Sequence, residues 1–134
     1  MFYACKYEGV PRTSKEIAKL FDIDVQDLTK AMKKFRHIIG SKKDHTSIST
    51  ALDYIPRFCQ TLGFTTSERY IIECMIAKSY ILGILPECTS TSLAATILYT
   101  GAILLQKINI TKQKIAIVCE VSEVTILKCY RKLQ

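Results

Sequence analysis

Residues Thr111–Leu133, TKQKIAIVCEVSEVTILKCYRKL, read as two short helices around a tight turn. Ile115, Ala116 and Cys119 form the apolar side of the first helix, and Val121 sits in the turn. Ser122 is placed to cap the second helix, because its hydroxyl can accept from a free amide of the first turn. Ile126, Cys129, Tyr130 and Leu133 then recur at helical spacing as a core face. Val124, Lys128 and Arg131 share the opposite face, with Leu127 at its edge. A helix, a turn and a second helix with a basic outer face is the layout that seats a recognition helix in a DNA groove.

The same pattern occurs 98 positions earlier. Thr13, Ile17, Ala18, Lys30 and Lys34 are identical to Thr111, Ile115, Ala116, Lys128 and Lys132, and Ile23, Leu28 and Phe35 stand for Val121, Ile126 and Leu133. Thr13 and Glu16 have capping-box spacing. The two units are separated by about the length of a small helical domain, as expected of an internal repeat.

The 134 residues suffice for one ordinary domain, or one domain and a piece of another, and 49% apolar residues can bury a real core. The formal charge of +7 suits an anionic partner. It is uneven: residues 1–43 hold ten Lys or Arg against five Asp or Glu, and the other 91 hold nine against seven. A phosphate backbone is the simplest partner for the first part. The six cysteines form no C-x-x-C pair and do not space with His37 or His45 as zinc ligands would. Most lie among apolar residues, so reduced core cysteines of an intracellular protein are expected, with no metal and no cofactor. Lys6, Glu8 and Arg12 interrupt any signal peptide, and the apolar run Leu93–Leu105 is too short to cross a bilayer, so no membrane partner is expected.

Phe2–Tyr7 look like the last turns of a helix whose beginning is missing, stopped by Gly9 and Pro11. A helix pair over about 14–21 and 25–38 follows, its second helix exposing Gln26, Lys30 and Lys33. Residues 39–50 lack an apolar period and read as a linker between segments 1–38 and 51–134. Leu52, Ile55, Phe58, Cys59 and Leu62 mark an amphipathic helix ended by Gly63. Thr65 and Glu68 open another, running to about Leu82. Ser92–Gln106 is apolar nearly all round and should be a central, surrounded helix. With the final pair, 51–134 holds five helices and no strand, an all-α class.

Gly9-Val10-Pro11-Arg12-Thr13-x-Lys15-Glu16-Ile17 resembles a loop and helix start of the first cyclin-like repeat in the transcription factor IIB family. Phe2-Tyr3-Ala4-Cys5 resembles the preceding helix end. Ile55-Pro56-Arg57-Phe58-Cys59-x-x-Leu62 resembles the opening of that family's second repeat. Val124-Thr125-Ile126 with Tyr130-Arg131-x-Leu133 resembles its last helix. The likeness covers nearly the whole chain in the family's order. It implies a cyclin-like five-helix repeat over about 51–134, preceded by the last helices of a truncated first repeat. It also implies a general transcription initiation factor that grips TATA-binding protein on bent promoter DNA and helps recruit RNA polymerase. By the same resemblance Gly9 and Arg12 face the minor groove downstream of the TATA element, and Val124 and Thr125 the major groove upstream. An Arg suits a narrow, electronegative groove. Such a factor works in a nucleus if eukaryotic, or in the cytoplasm if archaeal or viral.

Three departures qualify that expectation. Leu127 stands where the family carries a basic residue, which removes a bidentate guanine contact and leaves at most a thymine methyl contact. Glu87-Cys88 replaces the family's usual Gly-Arg. The zinc ribbon and most of the first repeat are expected to be absent, which weakens the case for polymerase docking. A solvated helix face accounts for most single lysines, but Arg12, Lys30, Lys33, Lys128 and Arg131 are the expected phosphate or groove contacts. A cyclin-type protein-interaction module without DNA binding is the alternative on the same fold. Catalysis is the weakest reading, since there is no phosphate loop, paired carboxylates or Cys/His cluster, and no small-molecule substrate is expected.

Overall fold

The structure, a computed structural model, describes residues 1–39 and 49–133. All regular elements among the described residues are helices: α1 (Phe2–Tyr7), α2 (Ser14–Leu20), α3 (Val25–Ile39), α4 (Ala51–Leu62), α5 (Thr66–Ile81), α6 (Ser90–Leu104), α7 (Lys112–Cys119) and α8 (Glu123–Leu133). The chain forms two compact units, Met1–Ser49 and Thr50–Gln134. Most of the linker expected at 39–50 lies outside the described residues, and Ile39 closes α3.

In the second unit α6 packs against α4, α5, α7 and α8. Leu93, Ala94, Ala95, Ile97, Leu98 and Ala102 are buried, so the central helix expected from its all-round apolarity is found. It starts two residues earlier than the sequence pattern indicates, because the Thr89 hydroxyl accepts from the Ser92 amide at 3.2 Å and caps it. Gly101 allows α5 to approach: a Cβ there would lie 3.1 Å from Ile72 Cγ1. Phe58, Ile55, Ile76, Ile115 and Ile126 fill the rest of the interior. Burial of each such side chain contributes roughly 1.5–3 kcal/mol. α4 continues through Pro56, with Tyr54, Ile55, Phe58 and Cys59 all buried, so packing outweighs a helix-interior proline cost of about 3 kcal/mol. Gly63 ends α4 in the left-handed region at φ 81°, and a Thr65–Glu68 capping box opens α5.

The first unit has a smaller interior. Pro11, Ile17 and Ala18 are buried, but no described side chain of α3 is. α1 lies against α3 through the Tyr3 and Phe35 rings, whose centroids are 5.1 Å apart, and the Tyr3 hydroxyl donates to the Met32 carbonyl at 3.4 Å. Phe21 and Phe35 remain about half exposed.

Candidate nucleic-acid interface

The α2–α3 and α7–α8 turns share their first-helix cap and the bond inside the turn at positions 98 apart, and each has a side-chain cap on its second helix. The Thr13 hydroxyl accepts from the Glu16 amide at 3.0 Å, and the Thr111 hydroxyl from the Lys114 amide at 3.3 Å. Inside the turn, the Ile23 amide donates to the Ala18 carbonyl at 3.0 Å and the Val121 amide to the Ala116 carbonyl at 3.1 Å. Asp24 and Ser122 cap the second helices, accepting from the Gln26 amide at 2.6 Å and the Thr125 amide at 3.2 Å. Asp22 and Glu120 both occupy the left-handed region, at φ 52° and 53°. That conformation costs a non-glycine residue roughly 1–2 kcal/mol. Its occurrence at matching positions means that the surrounding bonds impose the turn.

On α8 the outward side chains are Val124, Lys128 and Arg131, all exposed. Thr125 and Leu127 are half-buried at the edges of that face. The Thr125 hydroxyl lies 2.7 Å from the Ser122 hydroxyl, so it shares in the cap as well as bordering the face. The other cations nearby are engaged. Lys112 reaches Glu123 at 3.0 Å and so ties the start of α7 to the start of α8. Lys107 meets Glu68 at 2.8 Å, Lys114 donates to the Asn109 carbonyl at 2.9 Å, and Lys132 bonds Glu87. Among the described residues Lys128 and Arg131 form no ion pair. The outer face of the second helix thus carries two cations that no carboxylate among the described residues pairs.

The equivalent face of α3 carries Gln26, Lys30 and Lys33, in place of Val124, Lys128 and Arg131, and all three are exposed. Lys30 has a local ion pair with Asp27 at 3.4 Å. Gly9 sits in the turn after α1 at φ 72°, with nothing within 4 Å of where a Cβ would be. Arg12 precedes the Thr13 cap and lies 3.7 Å from Glu16. Exposed pairs of this kind are worth about 0–1 kcal/mol and yield readily to a stronger anion. The expected contacts thus fall into two groups, one in each unit: Gly9, Arg12, Lys30 and Lys33 in the first, and Val124, Thr125, Leu127, Lys128 and Arg131 in the second.

Sequence reasoning did not find the braces of α8. Glu87 is the main one: its hydrogen bond from Lys132 holds the carboxyl below the usual carboxylate range, and Lys128 adds to the effect. The Glu87-Cys88 dipeptide therefore binds the loop before α6 to α8. No sequence signal marks a pair 45 positions apart. Of the cysteines, Cys59, Cys119 and Cys129 are buried, Cys5 and Cys88 half-buried, and Cys74 exposed. A shallow groove lined by Leu52, Glu73, Cys74 and Ala77 offers one carboxylate and one thiol. Among the described residues no group of three His, Cys, Asp or Glu could hold a metal ion, and no helix is long and apolar enough to cross a membrane.

No family model matches the sequence. Curated proteins do. Transcription initiation factor IIB of Archaeoglobus fulgidus is 34% identical over 134 residues, 99% of this chain. The protein of that name in Xenopus laevis is 28% identical over 98% of the chain. A putative transcription initiation factor IIB-like protein of Acanthamoeba polyphaga mimivirus is 32% identical over 99%. The chain is a homologue of transcription initiation factor IIB. Its all-helical architecture is consistent with a cyclin-like core of such a factor. The chain spans 40%, 40% and 30% of the length of these three relatives.

Proposed function

We propose that the chain is a non-catalytic core of a general transcription initiation factor, which binds promoter DNA together with TATA-binding protein and contributes to recruiting RNA polymerase. One observation carries the reading: in a helix-turn-helix built twice, Lys128 and Arg131 on the outer face of the second copy's α8 are exposed and, among the described residues, without an ion pair. Cations so placed contact phosphates and groove edges, and they set the register of a duplex under the helix. Arg12 and the Gly9 turn would meet the minor groove from the first unit, with Lys30 and Lys33 on phosphates. The factor would act where its template is, in the nucleus of a eukaryote or the cytoplasm in an archaeal or viral setting.

A gel shift on a TATA-containing duplex, with and without TATA-binding protein, tests this. A supershift at low salt is expected, with affinity falling as salt rises. Lys128→Glu with Arg131→Glu should weaken binding across sequences, and each lost phosphate contact should lower the salt slope by about one. A chain that ignores the duplex complex at low ionic strength defeats the proposal. Capture of a protein partner with no dependence on DNA would favour the cyclin-type interaction module instead.

A further inference from the structure

Cys88 and Cys129 are 41 positions apart in sequence, yet their sulfurs lie 3.1 Å from one another. Cys129 is buried on the core side of α8, and Cys88 is half-buried in the loop before α6, so Cys88 is the more accessible of the two thiols. That loop grips α8 at a second point, because Glu87 accepts from Lys132. Cys129 and Lys132 are three residues apart and share one side of the helix. Two adjacent loop residues therefore hold two neighbouring helix residues, and the Cys88 amide, donating to the Leu85 carbonyl at 3.0 Å, fixes the loop's own turn. Closing a bond of about 2.05 Å from here needs roughly 1 Å of approach, within reach of side-chain rotation.

We propose that Cys88 and Cys129 form a reversible disulfide that locks the Gly83–Thr89 loop to α8. The oxidant is a small disulfide such as glutathione disulfide. Cys88, once deprotonated, attacks one of its sulfurs and expels a glutathione thiolate. Cys129 then gives up its proton and attacks the Cys88 sulfur, and the second glutathione leaves. The two thiols lose two electrons and two protons, and glutathione disulfide becomes two glutathiones. Burial, then the contact with Cys129, pushes the Cys88 thiol up to about 11, so Cys88 rests as the thiol at neutral pH and its attack is slow. The bond does not depend on what α8 touches outside the chain.

The full chain, incubated with glutathione disulfide, blocked with iodoacetamide and digested with trypsin, provides the test. The expected product is Ser79–Lys107 linked to Cys129–Arg131, two hydrogens lighter than the two peptides together. The oxidised chain should melt roughly 5–15 °C above the same sample treated with dithiothreitol. Cys88→Ser should abolish both the linked peptide and the shift, and Cys74→Ser should leave both. Failure to find the linked peptide, glutathione adducts or chain-to-chain links in its place, or a thermal shift that persists in Cys88→Ser would each overturn the proposal.

Discussion

The two helix-turn-helix tips share one turn and differ in what lies behind it. In α7–α8 the inward residues Ile115, Cys119, Ile126 and Cys129 are all buried. In α2–α3 the inward Ile17 and Ala18 are buried, but Leu28, which matches Ile126, is half-buried, and Ala31, which matches Cys129, is exposed. A turn conformation needs only neighbours in sequence and so appears in both. A buried face needs other elements, which α4 and α6 supply to the second tip. The outer faces differ in the opposite sense: the less buried tip belongs to the more basic stretch of sequence.

The largest expected difference is in the core. Ile126→Ala should cost about 2–5 kcal/mol, and Leu28→Ala about 1 kcal/mol or less. Urea unfolding followed by circular dichroism measures both, and equal losses would erase the distinction between the tips. Next comes base reading. Leu127→Arg should introduce a guanine preference of about 1–3 kcal/mol in selection from duplexes with random flanks upstream of TATA. Thr29→Arg, the matching change in α3, should raise affinity without changing sequence preference. Enrichment of a G/C-rich upstream element by the unaltered chain would show that Leu127 is not the deciding position.

Limited proteolysis comes third. Residues 1–40 should be cut at least about tenfold faster than 51–134, leaving a fragment that starts near Ala51, because few buried apolar contacts oppose local opening. Equal protection would mean that the first tip has support not visible in its burial. The smallest effect is electrostatic. A hydrogen bond from Lys107, then one from the Thr65 backbone, holds the Glu68 carboxyl below its ordinary range. Its folded value is depressed, so its stabilisation is present above the ordinary carboxylate value of about 4.3 and is lost as pH falls through the folded value. Glu68→Gln should flatten the acid side of the stability profile of residues 50–134, and an unchanged slope would remove the Lys107 pair from the account.

The sequence alone determined the helices, the caps at Thr13, Thr65 and Ser122, and the duplicated turn, but not the Thr89 cap that starts α6. Thr13, Thr65 and Thr111 act on amides three residues away, and apolar periodicity is legible along a single helix. It also marked Lys128 and Arg131 as outward, since helical phase follows from spacing. Tertiary structure decided which cations remain unpaired. Lys107, Lys112 and Lys132 look like the others in sequence, and each is neutralised by a carboxylate 39, 11 or 45 positions away. It likewise brought Cys88 to Cys129, and it left Leu28 of α3 half-buried while burying Ile126 and Cys129 of α8. Pairing and burial depend on which elements meet in space, and no local pattern encodes that meeting.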